Sequence, residues 1–368
     1  MCNSIIKYQL QMLAQPNAKE LLLNYTNKGN CLCDVVQLKM FKLSNAKKLV
    51  RVYIQSNQLC DKAQLELFCL PNAQELIRTY IQRYPFCDKA QLKLFKRQDA
   101  NVLVGDYIRY RKICEKAQLE LLCLPNAQEF VEIYAQKYFF CDEAQLKMFE
   151  LPNAEKLIMA YIEHKSFCDK AQLRLFCQSP ELIEAYIQRH PFCDKAQLKL
   201  FEYPDGKDFI KLYVQKHFLS CEAEMKLISC GEKAKDIVKI YAQSFCLRNA
   251  AEIRMLESPS AETLLKSYIK YRNLCDEAQL KMFELPNAKK IVSLYIRKHL
   301  LCREAELKMF DLLNAPRLVA IYIKNYPLCN EAEMKMLELP NAKSLVAEYV
   351  KRFKLCNKAR EKWNKIIK

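Results

Sequence analysis

A cysteine returns every 27 residues along most of this chain. It stands at Cys33, Cys60, Cys87, Cys114, Cys141 and Cys168, resumes at Cys193 after a two-residue deletion, and is back in phase at Cys275, Cys302, Cys329 and Cys356. Ser220 and Arg248 hold the equivalent place in between. A period of this length means one small unit that buries its apolar surface only against copies of itself. With the cysteine as position 0, the unit reads C-D-x-A-Q-L-K-[ML]-F-E-L-P-N-A-x-x-L-[IV]-x-x-Y-[IV], then about five variable residues. Position 20 is a tyrosine in all thirteen copies, from Tyr25 to Tyr349; the first copy is degenerate and begins near Ile5. A half-unit, CNKAREKWNKIIK, closes the chain.

Each unit reads as two helices. Helix B begins at PNA and places apolar residues at positions 13, 16, 17, 20 and 21, which is the stripe of an amphipathic helix. In repeat 6 these are Ala154, Leu157, Ile158, Tyr161 and Ile162. Helix A is predicted from the Asp at position 1 to about position 10, and is apolar round most of its girth (Ala144, Leu146, Met148, Phe149). A short helix of that kind has to be sandwiched. The expected fold is all-α: an α-solenoid of thirteen helix-turn-helix repeats plus a C-terminal half-repeat cap, an arc or superhelix on the order of 100 Å along its contour. The domain plan is a single repeat domain over 1–368. It comprises a degenerate first repeat in 1–32, the array in 33–355 with an irregular section at 177–260, and a basic capping helix in 356–368. In general form this resembles the HEAT, armadillo and tetratricopeptide class of two-helix repeats. That resemblance covers nearly the whole chain at the level of architecture, implies a binding scaffold, and carries over no site residues.

The recurring polar residues invite chemistry, and each has a structural reading beside it. The Asp column (Asp34, Asp61, Asp88, Asp142, Asp169, Asp194, Asp276) reads as the N-cap of helix A. Gln three residues on (Gln37, Gln64, Gln91, Gln145, Gln172, Gln197, Gln279) then has capping-box spacing, and Glu224, Glu252, Glu306 and Glu333 replace it in later repeats. The Cys column falls one residue before that cap and reads as a hydrophobic staple to the Leu at position 5. Equivalent cysteines lie too far apart for disulfides, and no zinc-type ligand set accompanies them. Asn at position 12 reads as the N-cap of helix B. A tyrosine ladder could stack on bases, but its place in the apolar stripe assigns it to the core.

The cations are the candidate contact residues. Position 6 carries Lys39, Lys93, Lys147, Arg174, Lys199, Lys226, Arg254, Lys281, Lys308 and Lys335, with Glu66 and Glu120 as exceptions. The end of helix B carries Arg83, Arg109, Lys137, Arg189, Lys216, Arg297 and Lys324. Such cations complement a helix dipole; one per layer could also follow a phosphate backbone or an acidic peptide. The formal net charge of +17 permits acidic partners.

Other chemistry is absent from the sequence. His164, His190, His217 and His299 sit in separate repeats, and neither a Gly-rich phosphate loop nor a nucleophile elbow occurs. The expected function is a non-enzymatic scaffold for a protein or peptide, with nucleic acid as the alternative partner; no cofactor, metal or small-molecule substrate is indicated. No apolar run reaches the roughly 20 residues of a membrane span, and the N-terminal MCNSIIKYQLQML does not read as a leader. The nineteen cysteines in a chain of this size point to a reducing, cytoplasmic location. In the irregular section, two readings stand: drift absorbed by a kink, or a bend that shapes a pocket.

Overall fold

The computed structural model describes residues 2–367. Among them the chain forms 27 α-helices and no strand, in the alternating A and B order of an α-solenoid. It divides into two compact units, one ending at His190 and the other beginning at Pro191. In the first unit each helix A packs on the helix A of the next repeat, and most B helices pack on the next helix B. The second unit repeats this pattern and closes with the capping helix Asn357–Ile366 on helix A of repeat 13 (Asn330–Met336).

Packing follows the apolar stripe. In repeat 6, Leu157, Ile158, Tyr161 and Ile162 on helix B (Ala154–Ile162) are fully buried, as are Ala144 and Met148 on helix A (Asp142–Met148). Helix A is only seven residues long here, shorter than its pattern predicts, because a turn through Phe149–Leu151 feeds helix B. The tyrosines from Tyr53 to Tyr349 are the largest fully buried side chains, while Tyr25, in the degenerate first repeat, is half-buried. A row of apolar residues at position −1 is also buried, including Leu32, Leu59, Phe86, Ile113, Phe140 and Phe167. The sequence pattern places this row among its variable residues, because its identity changes between Leu, Ile and Phe while its apolar character does not.

The irregular section contains two glycines that the backbone requires. Gly206 opens helix B of repeat 8 (Gly206–Lys216) where other repeats have Ala, and a Cβ there would lie 2.0 Å from the Leu200 carbonyl oxygen. Gly231 holds φ +60°, a left-handed conformation that glycine adopts without steric cost. Gly206→Ala is expected to lower stability by about 1–3 kcal/mol through backbone displacement, read as a shift in the urea midpoint. An unchanged midpoint would show that the turn has room for the methyl group.

Candidate interaction surface

The columns that look like chemistry meet at one place: the extended two-residue segment at positions −1 and 0 that leads into helix A. This backbone is buried between layers, so its N–H and C=O groups need partners. The tyrosine hydroxyl accepts from the position −1 N–H, as at Leu32 to Tyr53 (3.2 Å), Phe86 to Tyr107 (3.1 Å) and Leu274 to Tyr295 (3.3 Å). The glutamine Nε2 donates to the position −1 carbonyl of its own repeat, from Gln64 to Leu59 and from Gln145 to Phe140, at 2.9 and 2.8 Å. Its Oε1 accepts the Cys N–H of the next repeat: Gln37 from Cys60, Gln64 from Cys87, Gln118 from Cys141 and Gln145 from Cys168, at 2.6–2.8 Å.

Three expectations are corrected by this geometry. The N-cap of helix A is the cysteine, not the aspartate: Cys60 has φ −64° and ψ 159°, and Asp61 is the first helical residue. The thiol can serve the cap, since Sγ of Cys275 and of Cys356 accept from Ala278 and Ala359 N–H at 3.5 Å, and Ser220 does the same for Ala223 at 3.3 Å. The glutamine is not half of a capping box, which would be local and exposed; it is almost fully buried and joins two repeats. Nor is the cysteine the staple, because the buried apolar residue next to the cap is the one at position −1. Gln9, which the sequence pattern leaves out of the column, does the same work in the degenerate repeat, accepting from Cys33 N–H at 3.0 Å. Its signal was its 28-residue distance from Gln37.

None of the described cysteines is in a disulfide. Burial pushes several of the column thiols up, Cys275 to about 11, with the Glu252 carboxylate adding to the shift. A thiol held protonated is a poor nucleophile and metal ligand. Asn at position 12 does precede helix B, as at Asn45 and Asn153, but its side chain makes no cap hydrogen bond there.

A glutamate in place of the glutamine can accept but, when ionised, cannot donate. Tyrosine hydroxyls donate to it instead: Tyr241 to Glu224 (2.8 Å), Tyr268 to Glu252 (2.7 Å) and Tyr349 to Glu333 (2.9 Å). The position −1 carbonyl then lacks the amide donor. In repeat 9 that need is met by Arg248, whose guanidinium donates to the Leu219 carbonyl at 2.8 Å and lies 3.5 Å from Glu224. The break in the cysteine column at Arg248 is therefore coupled to the Gln-to-Glu change at Glu224. Burial pushes the Glu224 carboxyl up, against the Arg248 amide and the Tyr241 hydroxyl, which hold it down.

The candidate cations separate into those with internal partners and those without. Position-6 lysines pair with acids at position 9 of the same or the preceding repeat. Lys147 meets Glu150 (3.0 Å), Lys199 meets Glu202 (2.9 Å), Lys308 meets Glu284 (3.4 Å) and Lys335 meets Asp311 (3.2 Å). Lys281 lies between Glu257 and Glu284, and Lys362 of the capping helix continues the row with Glu338. Lys93 has no acid at that place and donates to the Leu65 carbonyl and toward Cys69 Sγ. Lys39, Arg174, Lys226 and Arg254 form no ion pair with the described residues. At the end of helix B, Arg83 donates to the Gln55 carbonyl (2.8 Å) and Lys137 to the Arg109 carbonyl (2.7 Å), each capping the helix of the preceding repeat. His190 and Arg272 take the same role on Ile162 and Ala242. Arg189 reaches only its own helix, at the Ala185 carbonyl. The exposed side chains of Arg109, Arg297 and Lys324 form no hydrogen bond or ion pair with the described residues. Lys216 has a partner of its own.

What the motif leaves over is the outer face of the B helices, at positions 14, 15, 18, 19 and 22. Grooves run between successive B helices there. One of about 240 Å³ includes Asn101, Asp106, Arg109, Glu129 and Phe130 in its lining, and one of about 470 Å³ lies between repeats 11 and 12. On the same face Glu132, Glu163 and His164 bring ligand atoms within 4.8 Å of one another, all of them solvent-exposed. No helix among the described residues is long and apolar enough to cross a membrane. Neither a known family model, nor a curated protein, nor a solved structure matches the chain.

Proposed function

We propose that the chain is a non-enzymatic scaffold that binds a protein or peptide along the outer face of its B helices. The observation that carries this reading is the division of labour between positions. Tyr, Gln and Cys of the motif are consumed in joining repeats, and many of the regular cations are neutralised by acids or used as carbonyl caps. Side chains that differ from repeat to repeat are presented on the exposed face of the B helices within each unit. A surface that varies on a fixed frame is how a solenoid acquires a specific partner. The free thiols along the chain suit a reducing compartment, in keeping with a cytoplasmic scaffold.

Nucleic acid is the second reading. The position-6 row speaks against it, because Glu150, Glu202, Glu257, Glu284, Asp311 and Glu338 alternate with the cations that would follow a phosphate backbone. Site-specific photo-crosslinking in the cells that make the protein separates the two. A crosslinker at Met159 or Ala347, both at position 18 of helix B, is expected to yield nuclease-resistant protein adducts, and one at Lys147 none. Adducts removed by nuclease, or formed only from Lys147, would contradict the proposal.

A further inference from the structure

The last four repeats carry a charge pattern that the others lack. Position 22 is a cation in four successive repeats there, Lys270, Arg297, Lys324 and Lys351, whereas in earlier repeats it is Gln55, Gln82, Gln136 or Glu163, with Arg109 an isolated cation in repeat 4. Next to this row lies the groove of about 470 Å³ between helix B of repeat 11 (Ala288–Tyr295) and helix B of repeat 12 (Ala315–Tyr322). Lys289, Arg297 and Arg317 stand around it, exposed and with no ion pair among the described residues. Its one acid, Glu262, is already engaged by Lys290 and by Lys266. Leu294 and Ile321, both half-buried, line it with apolar surface over the fully buried Leu318, and the Nδ2 of Asn314 at its edge is buried without an acceptor.

We propose that this groove binds an acidic peptide segment of a partner protein, its carboxylates on Lys289, Arg297 and Arg317 and an apolar side chain against Leu294 and Ile321. This assignment rests on the scaffold reading above and names the chemistry of the partner. Three uncompensated cations call for anionic groups, and the two guanidinium groups suit bidentate contact with carboxylates. The apolar lining calls for an aliphatic side chain, which a sugar-phosphate backbone does not carry. No aromatic ring lines the groove to stack a base. The row at position 22 advances by one repeat, about 8–10 Å for packed helices. Every third residue of an extended peptide advances by about 10 Å, so acids at that interval stay in register with the row. The smaller groove between repeats 4 and 5 carries both signs, with Asp106 and Glu129 beside Arg109, and is an internal comparison.

The test uses the full chain and fluorescence anisotropy with a short labelled peptide built of glutamate and leucine. Its counterparts are the same peptide with lysine for glutamate and a short single-stranded oligonucleotide. The glutamate peptide is expected to bind at about 50 mM salt and to weaken at about 300 mM, as screening requires. The double variant Arg297→Glu/Arg317→Glu should lose at least about tenfold in affinity, since two charge-assisted contacts become repulsive. Lys289→Glu alone, at an exposed position with no internal contact, should lose several-fold and covers the case in which the double variant folds poorly. Lys147→Glu/Lys199→Glu, away from the groove, should bind as the parent does. Absence of glutamate-peptide binding, equal binding of the lysine peptide, binding indifferent to the groove variants, or tighter oligonucleotide binding lost in the same variants would each overturn the assignment. If the peptide fails while crosslinks still form at Met159 or Ala347, the groove assignment falls and the scaffold reading stands; loss of those crosslinks strikes the scaffold reading itself.

Discussion

Gln145→Leu is expected to lower stability by about 2–5 kcal/mol, because it orphans two buried backbone groups at once. The Phe140 carbonyl loses its 2.8 Å donor and the Cys168 N–H loses its 2.6 Å acceptor. Leucine fills much of the space but offers neither contact. Had Gln145 been an exposed member of a capping box, the loss would be at most about 1 kcal/mol. Urea denaturation followed by circular dichroism reads the difference, and neighbour coupling in a repeat array should place the damage in repeats 6 and 7 first. Lys147→Ala is the comparison. Its ion pair with Glu150 is exposed, and such pairs contribute about 0–1 kcal/mol.

The second large effect concerns pH. Glu306 occupies the glutamine position of repeat 12, is 4% exposed, and accepts from the Cys329 N–H at 2.7 Å. No tyrosine hydroxyl among the described residues donates to it; the Tyr322 hydroxyl accepts from the Leu301 N–H, as its counterparts do. Burial pushes its carboxyl up to about 7, the backbone N–H of Cys329 opposing and the nearby Glu333 adding to the rise. A carboxyl with a folded value above its unfolded one binds its proton more tightly when folded. Stability should therefore fall as pH rises from about 4.5 to 7, with the full cost present above 7 and absent below 4.5. Protonated Glu306 mimics glutamine, with an O–H able to serve the position −1 carbonyl. Glu306→Gln should accordingly stabilise the protein at pH 8 by on the order of 2–3 kcal/mol and leave it nearly unchanged at pH 4.5. Glu224, also raised by burial, leaves a residual slope of the same sign. Thermal unfolding of parent and variant across this range checks it; parallel pH profiles would show that Glu306 ionises without penalty in the fold.

How far the sequence could be read depended on the range of each interaction. The two-helix repeat, the tyrosine core and the capping half-unit were legible because apolar periodicity reports burial directly. The glutamine was misassigned because Asp-x-x-Gln matches a local capping pattern, while its true partners lie 5 residues back and 23 residues ahead. A motif with strict period carries no mark that distinguishes contacts within a repeat from contacts between repeats. The cysteine was displaced by one position for the same reason, since an aspartate at a helix start is the more familiar cap. The position-6 cations were legible as a row, and the acids at position 9 that pair with them were visible three residues on. The coupling was even hinted at by Glu66 and Glu120, where position 9 is Cys69 and Cys123 rather than an acid. The basic groove between repeats 11 and 12 was not legible. It combines Lys289 and Arg297 of one helix with Arg317 of the next, and only the packed pair shows which cations remain uncompensated.

The conspicuous polar side chains of the repeat join layers: Gln145, for example, bonds both the Phe140 carbonyl and the Cys168 N–H. Amide hydrogen exchange at the cysteine column tests this most directly. The N–H groups of Cys60, Cys87, Cys114, Cys141 and Cys168 should be among the slowest to exchange in the parent protein, and Gln145→Leu should release Cys168 while leaving Cys60 and Cys87 protected. Exchange of these amides at unprotected rates in the parent would contradict the account, because it would leave the glutamines facing solvent and available to a ligand.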